Sequence, residues 1–94
     1  MKVTFSSYLD EYLGTFLFLL IIFASNGNPL IVGGGLALII YLIANVSGGF
    51  VNPAISLAMY MNGTLSVRDL FAYVFVQLLG GASAYYAYQM SKRI

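Results

Sequence analysis

The sequence predicts an all-α membrane protein with three transmembrane helices and one shorter apolar segment. Three observations lead there. Hydrophobic residues fill 61% of the 94 positions and charged residues 7%, for a mean hydropathy of +0.89. A soluble domain carries about 25% charged residues, so soluble enzymes, nucleic-acid binders and disordered tails are excluded. The second observation is three apolar stretches of membrane-spanning length, and the third is a fourth stretch only half as long. The absence of Cys and His excludes disulfide frameworks and Cys/His metal sites, and no cofactor is implied. The net charge of +1 says nothing about anionic partners.

The spans lie at about residues 8–24, 29–46 and 70–90, since crossing about 30 Å of hydrocarbon takes about 20 apolar residues. Ser7, with Asp10 three residues on, reads as a capping box opening the first span. The turn Asn26-Gly27-Asn28-Pro29 precedes the second, with Asn28 placed to cap and Pro29 at the first helical position. Asn62-Gly63 stops a helix, and Ser66 with Asp69 opens the third span as a further capping box. The late start of the first apolar run, with Asp10 and Glu11 at its entry, argues against a cleavable signal peptide.

The segment at about 47–62 does not fit a plain three-helix pattern. Pro53 to Asn62 makes about 15 Å of helix, half a bilayer, and is apolar. Gly48-Gly49 and Asn52-Pro53 precede it, with Asn52 as cap and Pro53 as first residue. Spacing alone leaves two readings open: a re-entrant loop and half-helix, or a surface amphipathic helix on a Gly-rich hinge. In the first, irregular backbone at membrane depth must be buried in protein or line a water-filled cavity. The carbonyls of Gly48, Gly49, Phe50 and Val51 then face that cavity, with the positive half-helix N-terminus near the midplane.

The run Ser47-Gly48-Gly49-Phe50-Val51-Asn52-Pro53-Ala54-Ile55-Ser56-Leu57-Ala58 resembles the Asn-Pro-Ala loop and half-helix of the major intrinsic proteins, the aquaporins and glycerol facilitators. Its flanks strengthen the likeness. Glu11-Tyr12-Leu13-Gly14-Thr15-Phe16 resembles the family's first-helix signature and Gln77-Leu78-Leu79-Gly80-Gly81 that of the third. The run from Gly35-Leu36-Ala37 to Val46 is similar to the glycerol-facilitator second helix. The likeness extends from about Glu11 to Tyr88. The family usually carries this unit twice, inverted, in one polypeptide, and this sequence shows it once, closest to the first repeat. Ile55 stands where the second repeat usually has arginine, and Phe50 where a His is usual.

The resemblance implies a passive channel for water and small uncharged solutes such as glycerol, its pore completed by an inverted second chain. The expected assembly is an antiparallel homodimer, with a separately encoded second half as the alternative; the family habit groups pores in tetramers. With three spans, Lys2 and Arg68 fall on one side and Lys92 and Arg93 on the other, so the positive-inside rule gives no preferred orientation. Asn52, Pro53 and Ala54 form the pore centre by this resemblance, with the carbonyls of Gly48 to Val51 as acceptors. The resemblance implies that Glu11 accepts hydrogen bonds from the re-entrant loop; from the residues alone it is either a paired intramembrane carboxylate or an interfacial residue beside Asp10. Gln77 supports the loop or makes a plain interhelical hydrogen bond. Carried over by position, the narrow filter falls on Val32 of one chain and Ile40, Gly49 and Ile55 of its partner, an apolar ring without a fixed cation. Gly80, Gly81 and Ala84, with Ala87, put small residues at helical spacing for close association. Tyr85, Tyr86 and Tyr88 beside Lys92 and Arg93 read as an interfacial belt. Two other readings compete, a dual-topology small multidrug-type exporter and a non-transporting membrane-assembly protein. Glu11 lies too near the start of its span for the first, and both leave Asn52-Pro53-Ala54 unexplained.

Overall fold

A computed structural model describes residues 1–94. It has four helices: α1 (Phe5–Ala24), α2 (Pro29–Ser47), α3 (Pro53–Met61) and α4 (Val67–Ser91). α1, α2 and α4 are long and apolar enough to cross a bilayer. α3 has 9 residues, a rise of about 13 Å. The expected all-α architecture of three spans and one short helix is present.

The expected punctuation holds at three of four helix starts. The Asn28 side chain accepts from the N–H groups of Leu30 and Ile31 at 3.0 and 3.2 Å, with Pro29 following. Asn52 Oδ1 accepts from Ala54 N–H at 2.8 Å, with Pro53 following. Ser66 Oγ accepts from Asp69 N–H at 3.1 Å, although α4 then begins at Val67, a turn before the apolar run suggested. α3 ends in a Schellman motif, Thr64 N–H donating to Met59 O at 2.8 Å and Gly63 N–H to Tyr60 O at 3.0 Å.

The start of α1 departs from expectation. Its cap is Thr4, and Ser7 sits inside the first turn rather than before it. Ser7 Oγ accepts from Thr4 N–H at 2.9 Å and donates to Val46 O at 2.7 Å. The residue read as a cap therefore ties the start of α1 to the end of α2, and is wholly buried there.

α1 lies between α2 and α4, and α3 packs on α4. The α1–α4 crossing is close at Gly80, where an added Cβ would lie 2.7 Å from Tyr12 O and 3.1 Å from Phe16 N; only glycine fits between two backbones at that range. Ala84, one turn on, is fully buried, whereas Gly81 has just Leu19 Cγ at 3.9 Å. Gly80 and Ala84 are thus used inside the chain.

Burial is inverted relative to a soluble domain. Seven of the 16 buried residues are polar or charged (Ser7, Glu11, Thr15, Ser47, Ser56, Asp69 and Gln77), while Leu30 is 86% and Phe5 77% exposed. Polar groups inside and large apolar side chains outside suit a hydrocarbon solvent. The chain is an integral, multi-pass membrane protein.

Candidate pore-lining site

The site is the segment joining α2 to α3, and it is shaped by where its backbone N–H groups go. α2 ends on Gly48 in the left-handed conformation (φ 94°), and Gly49 follows at φ 66°. Gly49 is also pressed on α2, its Cβ position 3.2 Å from Ile40 Cα, so both conformation and contact call for glycine. Val51 adopts φ 44°, a region that β-branched residues avoid and that costs about 1–3 kcal/mol.

Glu11 compensates this strain. Its carboxylate accepts from Phe50 N–H at 3.0 Å, Val51 N–H at 2.7 Å, Ser47 Oγ at 2.7 Å and Gln77 Nε2 at 2.8 Å. It is fully buried, so these four donors replace its entire hydration. Ser47 Oγ also accepts from Gly49 N–H at 3.2 Å. Three consecutive loop N–H groups, those of Gly49, Phe50 and Val51, therefore point into the chain.

The carbonyls have no such partners. Those of Gly48, Gly49, Phe50 and Val51 accept no hydrogen bond within the chain, whereas the flanking Ser47 O accepts from Tyr73 Oη at 2.6 Å and Asn52 O from Ser56. Asn52 spends its oxygen on Ala54 N–H, and its Nδ2 has no partner in the chain. Asn52, Val51 and Pro53 border a cavity of about 450 Å³ between α1 and α4, lined also by Phe18, Leu19 and Leu78.

The structure brings Glu11, Gln77 and the loop together. Gln77 does not touch the loop backbone; it bridges Glu11 to Ser56 of α3, its Nε2 lying 2.8 Å from each partner. It is an interhelical clamp that reaches the loop through Glu11. Ile40 adjoins Gly49, while Val32 sits eight residues earlier on α2, about 12 Å along the helix. Ile55, on α3, is 39% exposed.

Three contributors to the site were not singled out by the sequence: Ser47, Ser56 and Tyr73. Tyr73 is fully buried, its ring against Phe50 (centroids 5.7 Å) and Tyr8 (6.0 Å). Its place one turn before Gln77 was the available clue. Tyr8 Oη donates to Asp69 at 2.6 Å, and Arg68 lies 3.5 Å from the same carboxylate, closing the layer on the N-terminal side.

Against known families, the model for Major intrinsic protein matches residues 2–92. The chain belongs to the major intrinsic protein family. Curated relatives in the family include the glycerol uptake facilitator protein-like 6 of Lactiplantibacillus plantarum, 33% identical over 82% of this chain and 39% of the relative. The lens fiber major intrinsic protein of Gallus gallus is 33% identical over 77% and 32%, and the aquaporin-10 of Milnesium tardigradum 38% identical over 77% and 21%. The chain thus spans between about a fifth and two-fifths of the length of these major intrinsic proteins. No solved structure matches it significantly.

Proposed function

We propose that this chain forms a passive channel for water and small uncharged solutes, glycerol among them, whose pore is completed by a second copy in inverted orientation. The polarised loop carries this reading. Four successive carbonyls and the Asn52 amide have no partner in the chain, and within hydrocarbon a polar group without a partner costs several kcal/mol. A file of water or hydroxyls supplies the missing partners: the carbonyls of Gly48 to Val51 accept along one wall, and Asn52 Nδ2 donates at the tip of α3. Gln77 and Glu11 support that geometry as positioning residues.

Ion rejection follows from the same parts. The N-terminus of α3 carries about half a positive charge, and nothing at Asn52-Pro53-Ala54 compensates a cation that has lost its water. A water that accepts from Asn52 turns its own protons outward, which interrupts a proton wire. α3 reaches only half the bilayer depth, so a second half-helix is needed from the opposite side. The even split of Lys2 and Arg68 against Lys92 and Arg93 lets the chain insert both ways. The filter formed with the second copy, from Val32, Ile40, Gly49 and Ile55, is apolar, so the pore is selective for neutral solutes but tolerant of their size.

The test is osmotic shrinkage of liposomes holding this chain alone. The wild type raises water and glycerol permeability above protein-free liposomes, and Asn52→Asp lowers both at equal insertion. Wild-type liposomes that shrink no faster than bare ones would overturn the homomeric channel.

A further inference from the structure

The cavity at the tip of α3 is polar at one end and apolar along its length. α1 and α4 run in the same direction beside it, as the pairs Glu11–Gln77 and Phe23–Tyr85 show. Val51, Asn52, Pro53 and Gln77 form one end, and the walls continue to Ile22 on α1 and Ala82 on α4. From Thr15 to Ile22 the wall rises about 10 Å. Phe18, Leu19, Ile22 and Leu78 line that length, and none of these side chains can hydrogen-bond. Gly81 keeps the space wide at this level: an added Cβ there meets just Leu19 Cγ, at 3.9 Å.

At the polar end two groups lack partners. Asn52 Nδ2 has none in the chain, whereas the Gln77 amide is spent on Glu11 and Ser56. Thr15, in the wall beside it, holds a buried hydroxyl that makes no hydrogen bond. A helical threonine takes either of two χ1 rotamers, so this hydroxyl can turn to a group seated at the tip of α3. The volume of about 450 Å³ falls within the range of small-molecule sites, about 300–1,000 Å³, which are likewise apolar with a few orienting polar groups.

The count of partners selects the ligand. A head group with a single hydroxyl is fully paired, its oxygen accepting from Asn52 Nδ2 and its O–H donating to Thr15 Oγ1. A polyol sets its further hydroxyls against Phe18 and Leu78, where an unpaired polar group is costly, so it passes rather than stays. A carboxylate or an ammonium loses its hydration with no counter-charge at the cavity. A lipid tail fills the walls and leaves both polar groups unpaired.

We propose that this cavity binds a primary alcohol of about six to eight carbons, a length set by the wall, with its hydroxyl between Asn52 and Thr15 and its chain along Leu19 and Ile22 toward Ala82. The bound alcohol takes the Asn52 amide that the water file needs, and so inhibits permeation. That consequence rests on the channel reading above; the site itself does not.

Photolabelling reads the site without reference to transport. Liposomes holding the wild-type chain are irradiated with octanol carrying a diazirine at its far end, and labelled residues are located by mass spectrometry. Labelling saturates, falls on Ile22 and Ala82, and is displaced by excess octanol but not by octane. A diazirine placed beside the hydroxyl moves the label to Val51 and Pro53. Thr15→Val keeps the shape of the side chain and weakens displacement by octanol about fivefold to tenfold, whereas Thr15→Ser keeps the hydroxyl and retains it. Octanol slows osmotic shrinkage of the wild-type liposomes over the concentrations that displace the label. Label that never saturates, that spreads over the exposed Leu38 and Leu42 of α2, or that octane displaces equally overturns the alcohol site, as does equal displacement in wild type and Thr15→Val. Binding that leaves water flux unchanged overturns the inhibition. Saturable labelling of a chain that raises no water permeability sustains the site and overturns the channel; a permeable chain without saturable label does the reverse.

Discussion

Glu11 concentrates the chemistry of the chain in one carboxylate. It holds two backbone N–H groups, a serine hydroxyl and an amide, and it keeps Val51 in a conformation that valine does not choose. Glu11→Gln replaces an acceptor with a donor that faces other donors. We expect a loss of about 2–3 kcal/mol of stability, read by thermal unfolding in detergent, together with lost permeability as the loop relaxes. Tyr73→Phe removes one hydroxyl and leaves the ring against Phe50. It should lower stability by about 1 kcal/mol and free Ser47 O, detectable as faster hydrogen exchange at Gly49 to Val51. The need for a partner at Glu11 was legible in the sequence, because a carboxylate inside an apolar run has no solvent to turn to. Val51 was not legible, because its φ is imposed by Glu11 from another helix. Tyr73 was hidden as well: one more aromatic within an apolar span carries no mark of the carbonyl it binds.

Among the elements, the half-helix was the most readable, since Asn-Pro at its start and Asn-Gly at its end act locally. The start of α1 was misread because local pattern was the only guide: Ser7 three residues before Asp10 looks like a cap, yet its hydroxyl is used by Val46 O. The stripe on α4 was read for its spacing, but spacing does not say which neighbour it meets. At Gly80 that neighbour is the backbone of α1. Gly80→Ala should therefore destabilise the chain by about 1–3 kcal/mol through a backbone clash, while Gly81→Ala should stay within about 0.5 kcal/mol. Thermal unfolding of the two variants side by side checks this; equal effects would contradict the α1–α4 crossing.

The whole molecule has a polar interior, an apolar exterior and a short helix, α3, packed on α4. Each follows from a small set of intramembrane polar residues gathered around one loop. The balanced positive charges predict mixed insertion: reporters fused at the C-terminus should register on both sides of the membrane, and adding two lysines to the Asn26–Asn28 turn should drive them to one side. Such a variant, inserted one way only, should also lose permeability. The most direct test of the channel account measures water and proton flux together in liposomes holding the wild-type chain alone. The expected result is rapid osmotic shrinkage while a proton gradient across the same membranes holds. Water flux no higher than in bare liposomes, or a proton gradient that collapses as water permeability rises, would contradict it.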